Sequence, residues 1–179
     1  ASWIETSVYL PLMRVHGYMS NTEPWNYGEE AKRIIADCIR QREQLRPYIE
    51  ACAERVAKEG YTLMRPLVFD FPDDEEALWQ SCEYMFGPEL LVSPVTEPGV
   101  TTWTTYLPKQ EGGWTDIRTG KHYEGGRRVT TKVDKTFIPV FRRECHTEIT
   151  EITESSYGAS CAQQAKRNIS AISLISAGQ

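Results

Sequence analysis

Few side chains in this sequence have the type and setting to do chemistry. His16 closes a mostly apolar run that begins at Val8, and Gly17 follows it. An imidazole fixed at the end of a strand can donate to or accept from a ligand hydroxyl, or it can be a capped structural group. Arg14 belongs to the same run, and Trp25 and Tyr27 stand in the polar, aromatic loop 18–27 as packing for the core or as a binding wall. Asp70, Asp73, Asp74, Glu75 and Glu76 crowd together. Such a cluster suits a metal or acid/base work, but the simpler reading is a charged first turn that opposes a helix dipole. The five cysteines, Cys38, Cys52, Cys82, Cys145 and Cys161, are odd in number and show no CxxC spacing, which argues against a disulfide framework and a zinc site. The glycines mark turns and lack a phosphate-loop pattern. No cofactor is implied.

The stretch Gly28 to Pro72 must position these groups. From Ala31 onward Ile34, Ile35, Cys38, Ile39, Leu45, Ile49, Cys52, Ala53, Val56 and Ala57 keep the spacing of a helix with one buried stripe. Glu29 and Glu30 suit its start, and Lys58 and Gly60 suit its end. Pro47 breaks the rule inside it, so the helix kinks there or divides in two; the unbroken phase of the stripe favours a kink. The run 62–72 is apolar on both sides, as a doubly covered parallel strand is. With 8–17 as a preceding strand, a parallel βαβ unit is expected, with ligands at the strand ends around His16 and Asp70. One helix cannot cover both faces of such strands. The chain is therefore expected to be part of a larger protein, and its opening residues, which lack a signal-peptide pattern, read as mid-protein sequence.

A short helix is expected over 75–86. From Glu89 the grammar changes to brief strands at 90–95, 100–107, 114–117, 121–123, 127–133 and 137–141, joined by Gly and Pro turns. This spacing predicts an antiparallel β-sandwich. The tail from Glu144 is Ser/Ala/Ile-rich, with a weak helix over 162–175 and much of the rest disordered. The division reads as 1–87, 88–143 and 144–179. Hydrophobic content is 40% and net charge is −5. With no long basic run, nucleic acid is a poor partner; with no run of about 18 apolar residues, no membrane helix is expected.

The series SVYLPLMRVHG, EPWNYGEEA, REQLRPYI, LMRPLVFDFPDD, EYMFGPELLVSPV, GWTDIRTGKHYEGG and IPVF, in this order over residues 1–143, resembles glycoside hydrolase family 31. These are α-glucosidases and α-xylosidases built on a (β/α)8 TIM barrel, and EPWNYG is most similar to the α-xylosidase-like members. The resemblance implies an α/β fold class: the last two barrel strands (8–17 and 62–72), then the β-sandwich. It implies a retaining α-glycosidase acting on oligosaccharides, whose two catalytic aspartates lie upstream of Ala1, so that no residue here is catalytic and the chain alone is inactive. It gives His16 a sugar-binding role at the end of the seventh strand. Arg14 would pair with a barrel carboxylate rather than touch sugar, and Glu23 and Trp25 would line the leaving-group side. After IPVF the sequence departs from the family pattern at Arg142-Arg143-Glu144-Cys145-His146. Two other readings stand beside this one. The first is a non-catalytic carbohydrate-binding module with Trp103, Trp114 and Tyr106 as a sugar platform. The second is a structural fragment that self-associates through unpaired barrel strands.

Overall fold

A computed structural model describes residues 2–144. The strands are short and the apolar residues in them alternate, which decides the architecture. Strands β1 (Met64–Pro66), β2 (Tyr84–Phe86), β3 (Leu90–Val92), β5 (Trp114–Asp116), β6 (His122–Tyr123) and β8 (Val140–Arg143) form one sheet in the order β1-β2-β3-β8-β5-β6, while β4 (Thr102–Leu107) and β7 (Arg127–Lys132) form a two-stranded ribbon. Every pairing is antiparallel. Opposed residues share a face of a sheet. Met85, Leu91 and Phe141 are in register and bury toward the ribbon with Tyr106, Leu107, Trp114 and Val129. Tyr84, Phe86, Leu90, Val92 and Val140 bury on the other face.

That second face is covered by helices. The stripe predicted from Ala31 is realised as α2 (Glu29–Gln44) and α3 (Arg46–Glu59), which place Ile34, Cys38, Leu45, Tyr48 and Cys52 against the sheet. The favoured single kinked helix is corrected to two helices separated at Leu45. Pro47 falls in the first turn of α3, where its missing N–H costs no hydrogen bond. Tyr48 locks the layers together. Its hydroxyl donates to the Phe86 carbonyl at 2.7 Å and accepts from the Glu89 N–H at 3.2 Å. Gly87 makes room for it, because a Cβ there would lie 2.1 Å from the Tyr48 oxygen and φ is +64°.

Three expectations for the first half fail locally. Residues 8–17 form no strand. They follow α1 (Ser2–Ser7) as turns and irregular chain, since among the described residues no neighbouring strand takes their backbone groups. The run 62–72 contributes only β1, paired antiparallel to β2, and then turns through the 3-10 segment Leu67–Phe69. There is thus no parallel βαβ unit among the described residues. The helix expected over 75–86 is the single turn α4 (Glu75–Leu78), and Tyr84–Phe86 has become a central strand. β2 pairs with β1 on one side and, across the turn at Gly87, with β3 on the other. The strands expected from Glu89 onward are all present. The tail beyond Glu144, with its expected helix and disorder, lies outside the described residues.

Glu83 ties the two sheets at a buried point. Its Oε1 accepts from the Tyr106 N–H of β4 at 2.9 Å, while Oε2 has no partner among the described residues. Burial pushes this carboxyl up to about 7, against the pull of the Tyr106 N–H and of Arg128. A carboxyl whose folded value lies above its unfolded value of 4.5 holds its proton longer when folded. It therefore adds stability that is complete below about pH 4.5 and is lost as pH rises through about 7. Chemical denaturation at stepped pH should show the unfolding free energy falling across that window. Glu83→Gln, which keeps the acceptor for Tyr106, should flatten the fall and exceed the parent by about 2 kcal/mol at pH 7.5. An unchanged pH slope would refute this role.

Candidate functional site

The arm that carries His16 is held by side chains instead of a strand ladder. Val8 and Tyr9 sink into the core beside α2. The Arg42 guanidinium, projecting from α2, donates to the carbonyls of Val8 (2.7 Å), Leu10 (2.6 Å) and Pro11 (3.1 Å) and lies 5.9 Å from the centroid of the Phe86 ring. Tyr84 donates to the Tyr9 carbonyl at 3.0 Å. Beyond this anchor the chain leaves the body and turns back at Gly17. A Cβ at that position would lie 2.8 Å from the Ser20 carbonyl oxygen, so the close turn needs glycine.

Between arm and helix lies a groove of about 470 Å³, lined by Ile4, Leu10, Arg14, His16, Tyr27 and Ile34 among others. Its walls are mostly apolar, and Arg14 and His16 bring its charge and its imidazole. Arg14 Nη2 and His16 Nδ1 are 2.7 Å apart. Among the described residues Arg14 pairs with this ring and with no carboxylate. Glu23 and Trp25 do not line the groove. Glu23 accepts from the Asn26 amide at 2.7 Å and Trp25 is exposed.

Two groups near the arm escaped the sequence reading. Arg42 is one, indistinguishable by spacing from the other cations of α2. Glu5 is the other. It is buried in α1, its carboxylate oxygens have no hydrogen-bond partner among the described residues, and burial pushes it up to about 7. The acidic cluster is structural. Asp74 caps α4 through the N–H groups of Glu76 and Ala77 and accepts also from Tyr106 and Lys109. Burial opposes its charge, but these donors outweigh burial and hold its carboxyl below the usual range. Asp70 pairs with Arg65. Among the described residues no group of three or more His, Cys, Asp or Glu could hold a metal.

The sugar platform expected of a binding module is also corrected. Trp114 is 0% exposed, with its indole N–H on the Pro108 carbonyl at 2.9 Å, and Tyr106 is buried. The exposed apolar surface lies elsewhere, on the arm and its surroundings: Trp3 is 85%, Tyr18 83% and Met19 92% exposed, with Leu12, Val15 and Tyr27 among them. Phe69, Leu78 and Trp79 form a second bare group near α4.

Comparison with known proteins identifies relatives of both halves. Residues 1–51 match the TIM-barrel domain of the glycosyl hydrolases family 31, and residues 60–146 match the C-terminal domain of the same family. The chain is 43% identical to an α-xylosidase of Saccharolobus solfataricus over 141 residues, 79% of this chain and 19% of that protein. It is 38% identical to the human neutral α-glucosidase C over 175 residues, 92% of this chain and 19% of that protein. Among solved structures it resembles a soil-metagenome α-xylosidase complexed with xylose (34% identity, TM-score 0.76, 82% of this chain and 24% of that one). It also resembles a cycloalternan-degrading enzyme from Trueperella pyogenes (38% identity, TM-score 0.74, 80% and 21%). The chain thus spans about a fifth of the length of these relatives.

The anchor by Arg42 is directly testable. Arg42→Met keeps the apolar stem but removes three charge-assisted bonds to the arm. It should lower the unfolding free energy by about 2 kcal/mol and speed tryptic cleavage after Arg14 severalfold relative to cleavage in the sandwich. Equal cleavage rates in parent and variant would show that the arm is held by other means.

Proposed function

The chain belongs to glycosyl hydrolase family 31, and from this premise we propose that it forms the end of the barrel and the following sandwich of a retaining α-glycosidase. The reaction is removal of a terminal α-linked xylose or glucose from an oligosaccharide. Retaining hydrolysis needs two carboxylates about 5–5.5 Å apart, one a nucleophile and one an acid/base. The aspartates in this chain serve other purposes: Asp74 caps a helix, Asp70 pairs with Arg65, and Asp134 accepts from Arg118 and Thr136. The chemistry therefore falls to residues upstream, and this segment contributes to binding.

The observation that carries the reading is His16, set beside Arg14 on the wall of a groove otherwise mostly apolar. A hydrogen-bonding ring beside apolar walls is a means of orienting a sugar hydroxyl. Hydrogen bonds that tighten in the transition state lower the barrier. The test is a chimera in which residues 1–141 replace the matching segment of the Saccharolobus α-xylosidase. It should turn over aryl α-xyloside, and His16→Ala should cut kcat/KM by about 10- to 100-fold; the isolated chain should turn over neither aryl α-xyloside nor α-glucoside. Activity in the isolated chain, or a chimera indifferent to His16→Ala, would contradict the proposal.

The bare apolar groups support a second, narrower reading for the chain in isolation. Contiguous exposed apolar surface of this kind drives association. Static light scattering at rising concentration should give an average mass above that of the monomer, declining when Trp3 and Met19 are both replaced by Ser. A constant monomer mass would dismiss it.

A further inference from the structure

The 2.7 Å contact between Arg14 Nη2 and His16 Nδ1 constrains the imidazole more than its distance suggests. A guanidinium has five N–H donors and no acceptor. The ring nitrogen facing it must therefore supply the lone pair. In a neutral imidazole one nitrogen donates and the other accepts, so the ring proton sits on Nε2. Among the described residues Nε2 has no other partner, and the ring lies on the wall of the groove. We infer that Arg14 is a positioning residue that fixes His16 as the Nε2–H tautomer and so makes it a hydrogen-bond donor to whatever occupies the groove.

This deepens the reading of His16 as a sugar-binding residue and takes its functional meaning from that reading, although the tautomer itself does not depend on it. The consequence is a rule of selection. The group that meets Nε2 must bring a lone pair, as a hydroxyl oxygen does; a protonated amine at that place would set donor against donor. The positive guanidinium also polarises the ring, which strengthens the N–H it leaves free. The device is local. Arg14 and His16 are two residues apart on an arm without a strand ladder, so the orientation of the ring depends on this one bond.

The test reads the tautomer with no sugar present. The full 179-residue chain is prepared with ring-¹⁵N histidine, and long-range ¹H–¹⁵N correlations are recorded at pH 8.5, well above the ordinary imidazole value of about 6.5. His16 is assigned by the signals lost in His16→Gln. The parent should show widely separated nitrogens, with Nδ1 unprotonated and Nε2 protonated. In Arg14→Leu the two signals should move toward each other as the tautomers mix. Arg14→Gln, which keeps an N–H donor, should hold them apart. Unaltered His122 signals, from a ring on β6, show that each variant stays folded. Identical His16 signals in the parent and Arg14→Leu would overturn the inference, as would a parent with the proton on Nδ1. A later titration with xylose bears on the sugar reading alone, because the tautomer has already been read.

Discussion

A sheet that is apolar on both faces must be covered twice, and this requirement organises the molecule. Met85, Leu91 and Phe141 face one way while Phe86, Leu90, Val92 and Val140 face the other, so neither face of β2, β3 or β8 can be left to solvent. The ribbon β4-β7 covers one face. The other needs a layer of helix, and α2 and α3 supply it with residues from the half of the sequence that matches a barrel domain. The helical layer is thus committed to the sandwich by packing, whatever else it supports. The tilted contact of Tyr48 with Phe86, at 6.3 Å between centroids, and the bonds of its hydroxyl fix the distance between the layers.

The arm lacks any comparable requirement within the chain. Val8 and Tyr9 are buried in the core and Leu10 and Met13 pack against it, while from Pro11 to Glu30 nearly every residue is exposed. Backbone groups that lack a ladder need other donors or water. Here Arg42 and Tyr84 donate to four arm carbonyls, those of Val8, Tyr9, Leu10 and Pro11, and the remainder turns outward. Trp3, Leu12, Val15 and Tyr18 are exposed there, and α2 is firm because the sheet holds it.

Legibility in the sequence followed the range of the interactions. The stripe from Ile34 to Cys52, apart from the exposed Ile39, and the turns at Gly60 and Gly120 are set by neighbours a few residues away, and the strands after Glu89 are legible from the turn residues that bound them, although their pairings reach far along the chain. The segments 8–17 and 62–72 were read as strands from their apolar content, but a strand is a relation between chains of backbone. Among the described residues, 8–17 meet no partner strand, and 64–66 pair with β2 instead of a parallel neighbour. Tyr84–Phe86 was misplaced for the converse reason. Three apolar residues after a helical start look like the end of a helix, and only the pairing with Leu90–Val92 makes them a strand. In the groove, the sequence places His16 beside Gly17 but does not set what surrounds it. Nor does it show that the Arg14 guanidinium meets the His16 ring, since that contact depends on where the arm turns.

The same contrast bears on how a site can be built on an arm of this kind. Placement of a ligand group normally relies on a rigid element beneath it. His16 has no such element among the described residues, yet its ring is oriented, because the guanidinium that holds it comes from the same short segment and travels with it. The arm as a body is located by Arg42, Tyr84 and the buried Val8, and the ring within the arm is oriented by Arg14. Location therefore depends on the fold of the sandwich and its helical cover, while orientation depends on a bond across two residues. Loosening the first would shift His16 and Arg14 together and keep the donor intact; breaking the second would leave the arm in place and let the donor turn into an acceptor.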